Sequence, residues 1–342
     1  MRVDRRASRS LTRSLDRFEP ILRLDLVRNP YGPCPAALEA VAMRVESPGD
    51  SITTAFRRRL SDMYRVPIES IHLLSSANDG LRSIAKDHTG PFVTFPPSAA
   101  ATLVADSRPQ STIVSIARGP TCDGTIGADV AADIPEDGIG IIDSPSDPLG
   151  SILSPADGVR LSRACRYLVL DERFAEFSEF SLLPLAIEFE NVMVLRSFEP
   201  WAGLQNQSCA WAVASPRLGA ALGLEHAELE PDVIASATAT LDSHASVGAT
   251  LKLVREERSR LYRLLRKLSF LEPLPSWAPF LSARVAMVPR EAVLDGLFAR
   301  GIRVHAPLEP GLERFVRFGI GSRTAMERLR SALVEMATEF VR

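Results

Sequence analysis

Residues 191–213 read N-V-M-V-L-R-S-F-E-P-W-A-G-L-Q-N-Q-S-C-A-W-A-V. Two apolar, β-branched runs flank a short polar turn, which predicts a buried strand over Asn191–Arg196, a tight connection, and a second strand over Cys209–Ala214. Working outward, similar runs occur at Phe92–Phe95, Thr112–Ser115, Gly138–Asp143 and Tyr167–Asp171. They lack polar alternation and are separated by amphipathic stretches such as Ser154–Cys165. That pattern predicts an α/β fold with a mostly parallel sheet covered on both faces. Ligands of such sheets sit outside the carboxyl ends of the strands, here Asp143–Gly150, Asp171–Phe174 and Ser197–Pro200. A long helical run, Ser246–Leu268, leads toward a smaller C-terminal unit with a helix around Arg290–Arg300, a strand at Val316–Ile320 and a last helix opened by Ser322.

Composition narrows the function classes. A chain of 342 residues, 46% hydrophobic, can bury a large core. The formal net charge of −2 advertises neither nucleic acid nor membrane as a partner. No apolar run is long enough to span a bilayer. The basic start (Arg2, Arg5, Arg6, Arg9, Arg13, Arg17) lacks an apolar signal core, so a cytoplasmic protein whose arm packs on a partner subunit is expected. Cys34, Cys122, Cys165 and Cys209 are widely spaced, and neither they nor the histidines show metal-ligand spacing, so no metal site is expected.

Six segments, in order, resemble the fold-type I pyridoxal-phosphate (PLP) enzymes, in particular the histidinol-phosphate aminotransferase and threonine-phosphate decarboxylase group. Leu24–Pro35 (L-D-L-V-R-N-P-Y-G-P-C-P) is similar to the family's N-P-Y-G-P-S-P opening. Val66–Leu81, Asp143–Gly150 (D-S-P-S-D-P-L-G), Leu168–Phe177 (L-V-L-D-E-R-F-A-E-F), Leu297–Val304 and Val316–Ser322 match later segments. The resemblance implies an aminotransferase-like fold in three parts: an N-terminal arm and small-domain segment (1–45), a large domain (46–250) and a C-terminal small domain (251–342). It also implies a homodimer, supported by retention of Asn29–Gly32.

The same resemblance implies roles residue by residue. Asp171 stands where the family holds the pyridine nitrogen, and Arg317 where it clamps a substrate acid. Asn29, Tyr31 and Phe174 fall at substrate-side positions. The departures are larger. Pro200 stands at the position of the Schiff-base lysine, and the only lysines are Lys86, Lys252 and Lys267. A guanidinium cannot replace that amine, because it stays protonated. Ser208 replaces a phosphate-binding Arg, Glu199 a phosphate-binding Ser, Phe174 a Tyr, and Asp147 an Asn, while Ala99 lies near the place of a ring-stacking aromatic. Only Ser197 and the helix start at Asn78–Asp79 remain as phosphate donors. Losing one Arg–phosphate contact costs about 1.5–3 kcal/mol. A carboxylate roughly 5 Å from the phosphate adds roughly 3 kcal/mol at an effective dielectric of about 20.

These substitutions lead to an expectation of no cofactor. Asp147, Asp171 and Glu199 are expected to converge opposite Arg317 on an amino-acid-like small molecule and to perform PLP-independent acid/base chemistry in biosynthesis. Two alternatives stand beside it. One is a non-catalytic pseudoenzyme whose acids are paired with arginines such as Arg173 and Arg196, serving as a ligand binder or as the partner of an active aminotransferase. The other is an enzyme holding PLP or pyridoxamine phosphate (PMP) non-covalently. His305 is a further base candidate.

Overall fold

The computed structural model describes residues 20–43, 49–118, 126–127, 129–204, 207–224 and 227–340. The basic arm, Cys122 and His226 lie outside them. The described strands are β1 (Leu22–Leu24), β2 (Ile71–Leu74), β3 (Phe92–Thr94), β4 (Ile113–Ser115), β5 (Ile139–Asp143), β6 (Tyr167–Asp171), β7 (Val192–Ser197), β8 (Ala210–Val213), β9 (Leu271–Pro273), β10 (Phe280–Val285), β11 (Ile302–Val304) and β12 (Phe315–Gly319).

Seven strands form one sheet in the order β2-β8-β7-β6-β5-β3-β4. Strands β4, β3, β5, β6 and β7 run parallel, and β8 is antiparallel to both β7 and β2. Every residue of β5, β7 and β8 is buried, which is why their sequences show no polar alternation. The reversal at β8 follows from its connection. Between β7 and β8 the described residues hold one short helix, Glu199–Ala202, in a connection of twelve residues, too short for a crossover, so the chain returns antiparallel. The edge strand β2 and the short β1 have no counterpart in the strand pattern read from sequence. Each is a short run interrupted by a charged or polar residue, Arg23 in L-R-L and His72 in I-H-L-L.

The longer helices are α1 (Pro35–Ala42), α2 (Gly49–Tyr64), α3 (Ala77–Asp87), α4 (Ala99–Ser107), α5 (Pro155–Ala164), α6 (Pro231–Asp242), α7 (His244–Leu265), α8 (Arg290–Ala299) and α9 (Arg323–Phe340). Helices α3, α4 and α5 each start at a serine whose hydroxyl accepts the N–H three residues on: Ser76, Ser98 and Ser154. Val247, Leu251, Val254, Leu261 and Leu265 form the buried stripe of α7, which packs on β10 and α9. The smaller C-terminal unit is an antiparallel sheet, β12-β10-β9, with α8 and α9. Strand β1 pairs in parallel with β11.

Gly203 fixes how the N-terminal segment meets the large sheet. Its φ is +74°, and a Cβ there would lie 2.5 Å from the carbonyl carbon of Gly32. Both the left-handed backbone and the backbone contact forbid a side chain. Gly203→Ala is expected to lower stability by about 2–4 kcal/mol, read as a shift in denaturant midpoint. Gly248→Ala, on α7 with nothing near its Cβ position, is the neutral-to-stabilising control.

Candidate ligand site

The register of the parallel sheet places two carboxylates side by side. Asp143 and Asp171 end β5 and β6 and are Cα partners, and both are buried. Like charges at that spacing need cations, and the chain supplies one for each. Arg118, fully enclosed, pairs with Asp143 and also donates to the carbonyls of Phe95 (3.0 Å) and Asp143 (2.9 Å). Burial pushes the Asp143 carboxyl above its ordinary range, with Arg118 opposing. Arg173 takes Asp171: its Nε lies 3.0 and 2.9 Å from the two carboxylate oxygens, and its Nη2 lies 2.5 Å from Oδ2. Its Nη1 donates to Asn78 Oδ1 at 2.7 Å. Burial lowers the Arg173 pKa, but Asp171, Asp147 and Asp143 together more than offset that and raise it. Arg173 is therefore a fixed cation at the end of β6.

Behind this layer a second network anchors β7. Arg196 meets Glu172 (3.0 Å) and Glu176 (2.6 Å), and Glu172 also accepts from the Leu182 N–H and the Ser181 hydroxyl. Tyr64 donates to Glu176 at 3.2 Å.

On the opposite wall, β12 presents Arg317, 7% exposed. Its Nη1 donates to Asp147 and its Nη2 to the Asp25 carbonyl at 3.1 Å. The guanidinium lies over the Phe280 ring, 5.1 Å from its centroid, and Phe174 meets Phe280 edge to face at 5.8 Å. Phe174 thus contributes an apolar floor under a cation. His305 exchanges backbone hydrogen bonds with Arg317, and burial, then the Arg317 charge, holds its imidazole below the usual pKa.

The remaining expected residues are placed differently. Asn29 is consumed by structure: its N–H donates to the Pro200 carbonyl (2.7 Å) and its amide to the Trp201 carbonyl (2.9 Å) and Thr250. Tyr31 is over one-third exposed, near Glu257 and Glu256 of α7. Asp79 is exposed and tied to Ser76 and Arg82. Ser197 accepts the Glu199 N–H at 3.3 Å, and Glu199, half-buried, makes no ion pair among the described residues. Pro200 is buried inside the Glu199–Ala202 turn, and Ser208 is exposed. The three lysines are all exposed, on α3, on α7 and just beyond α7. The expected naked acidic cluster is therefore not what forms: Asp147 and Asp171 are each matched by an arginine, and Glu199 stands apart. Arg118 was missed, since nothing local marks its partner 25 residues away.

Histidinol-phosphate aminotransferase of Dehalococcoides mccartyi is 26% identical over 323 residues, covering 92% of this chain and 90% of the relative. That of Roseiflexus castenholzii is 28% identical over 336 residues, covering 93% and 90%. The Clostridium acetobutylicum histidinol-phosphate aminotransferase structure superposes with a TM-score of 0.82 at 16% identity, over 93% of this chain and 99% of that one. The chain has the fold of the fold-type I aminotransferases. L-threonine-O-3-phosphate decarboxylase of Porphyromonas gingivalis shares it (TM-score 0.75, 14% identity, 93% and 100% coverage). So does the Sinorhizobium meliloti histidinol-phosphate aminotransferase, solved in complex with pyridoxal-5'-phosphate (TM-score 0.79, 20% identity, 99% and 96% coverage). No family model matches the chain.

These likenesses correct one expectation. A site that takes no cofactor does not stand against a set of whole-length relatives that are aminotransferases and a shared fold solved with PLP. As arranged here, the residues nonetheless do not fit a lysine-anchored pyridine ring. Both oxygens of Asp171 and the Asn78 amide oxygen are taken by Arg173, and the turn that follows β7 offers the ring-closed nitrogen of Pro200 instead of an amine. Among the described residues, no helix is long and apolar enough to cross a membrane, and no group of three or more His, Cys, Asp or Glu could hold a metal ion.

The ion pairs differ in how much they carry. Arg196→Met would leave Glu172 and Glu176 enclosed without a cation and is expected to cost about 3–5 kcal/mol. Arg173→Met, at a partly exposed guanidinium, is expected to cost about 1–3 kcal/mol. Urea denaturation of the two variants checks the order.

Proposed function

We propose that the chain binds a small amino-acid-like zwitterion between the strand ends and β12 without a covalent link, and that PLP and PMP are held there in the same non-covalent manner. The observation that carries this reading is the Asp147–Arg317 pair. Asp147 is an internal carboxylate on the arginine suited to a ligand's acid, and it lines an open cavity. A ligand carboxylate can take over the guanidinium while the released Asp147 receives the ligand's ammonium, so the exchange conserves the number of ion pairs. Arg173, 21% exposed at its side chain, lies beside the start of α3 and offers a cation to a phosphate there.

Acid/base catalysis by crowded carboxylates is the weaker reading, because arginines neutralise Asp171 and Asp147. A homodimer remains part of the proposal. Exposed Ile21 and Leu38 flank a cavity of about 970 Å³ between β1, α1 and the start of α9, which gives an apolar surface for a second subunit.

Native mass spectrometry with added PLP and PMP, followed by borohydride reduction and peptide mapping, tests the proposal. The expected result is a vitamer mass on the native protein that is lost on denaturation, with no pyridoxyl group on Lys86, Lys252 or Lys267 after reduction. The affinity should be roughly three to four orders of magnitude weaker than at a site keeping the Arg and Ser phosphate ligands. A stoichiometric pyridoxyl-lysine, or no vitamer bound at all, would contradict it.

A further inference from the structure

The cavity beside Arg317 has a charge pattern that selects among amino-acid-like ligands. It measures about 320 Å³, within the range of small-molecule sites, and lies between α3, α4 and β12. Arg82, Asp106, Asp147, His305, Glu309 and Arg317 supply its polar lining. Two polar atoms here are enclosed and have no hydrogen-bond partner: Arg317 Nε and Glu309 Oε2. Arg317 itself is more than nine-tenths buried. Buried donors and acceptors of this kind are costly unless a ligand or water completes them.

Arg82 lines the cavity, about half exposed and 3.3 Å from Asp79 outside it. Asp147 neutralises Arg317. Burial, then the Arg317 charge, holds the His305 imidazole below its usual pKa. Asp106 and Glu309 make no ion pair among the described residues. The inner end of the cavity is one Arg–Asp pair, and its wall sets these two carboxylates against the partly exposed Arg82, an excess of one negative charge.

Resting on the reading of this cleft as a non-covalent ligand site, we infer that its ligand is a diamino monocarboxylic acid, an amino acid with a second, side-chain amine. The ligand carboxylate takes the Arg317 fork, including the idle Nε. Its α-ammonium takes the released Asp147. The side-chain ammonium lies between Glu309 and Asp106. A ligand of this class adds one positive charge to a wall with one negative charge in excess, whereas a phosphorylated amine adds negative charge to the same wall. The Asp106–Glu309 end of the cavity therefore disfavours a phosphate, so a vitamer phosphate is confined to the Arg173 end, beside the start of α3.

Isothermal titration calorimetry with L-ornithine and its isostere L-norvaline, which lacks the second amine, tests the inference, with L-glutamate and O-phosphoethanolamine as anionic probes. Ornithine is expected to bind at least tenfold more tightly than norvaline, and the anionic probes more weakly still. Glu309→Gln should remove most of that tenfold preference by weakening ornithine alone. Asp106→Asn, at an exposed helix position where folding is not at risk, should give a smaller loss of the same sign. Equal binding of ornithine and norvaline, or tighter binding of O-phosphoethanolamine, would overturn the inference while leaving the zwitterion site intact. Binding of none of the four would overturn both.

Discussion

Asp143 and Asp171 are register partners at the ends of adjacent parallel strands, buried and side by side. Two carboxylates cannot both stay ionised there without cations, and much of the site follows from that constraint. Arg118 closes on one and Arg173 on the other. Once Arg173 is committed to Asp171, it also engages Asn78 at the start of α3 and sets the electrostatic tone of the cleft floor. Asp147, a few residues beyond Asp143, is then left for Arg317 across the cleft. The result is a set of matched pairs at differing depth. The enclosed ones, Arg118–Asp143 and Arg196–Glu172, hold the scaffold. Arg317–Asp147 faces a cavity and can exchange partners.

That difference in depth separates structure from function. A fully enclosed pair is costly to open, since each ion would be left without water or partner. A pair at a cavity wall can trade one carboxylate for another at little net cost, provided the ligand also supplies the ammonium that the displaced acid needs. The apolar floor of Phe280 and Phe174 lowers the local dielectric and strengthens each exchange. The fold is shared with enzymes that carry PLP, yet the strand-end residues of this chain spend on one another the contacts that would hold the ring.

The large sheet was legible in the sequence because its strands are buried on both faces. Val192–Ser197 and Ile139–Asp143 announce themselves as unbroken apolar runs. The antiparallel return of β8 was not stated in advance, although the shortness of its connection dictates it. Strands β1 (L-R-L) and β2 (I-H-L-L) were missed because a charged or polar residue interrupts each short apolar run. At the site, the family resemblance pointed to Asp171, Asp147 and Arg317, and the arginines near them in sequence gave Arg173 as a pairing candidate. It did not say which acids would be paired, because pairing depends on side-chain direction across the sheet, as with Arg118 and Asp143. Asn29 was read as a ligand contact, but its buried amide is spent on the Trp201 carbonyl. Glu309 had no local signal at all. Its place follows only from how the loop after β11 folds over α4.

The claim that most of this rests on is partner exchange at Arg317. A crystal structure of the protein grown with millimolar L-ornithine tests it most directly. The account predicts the ligand carboxylate on the Arg317 guanidinium, with Asp147 turned away from that fork onto the ligand's ammonium. An intact Asp147–Arg317 pair, with ornithine bound elsewhere at full occupancy, would contradict it.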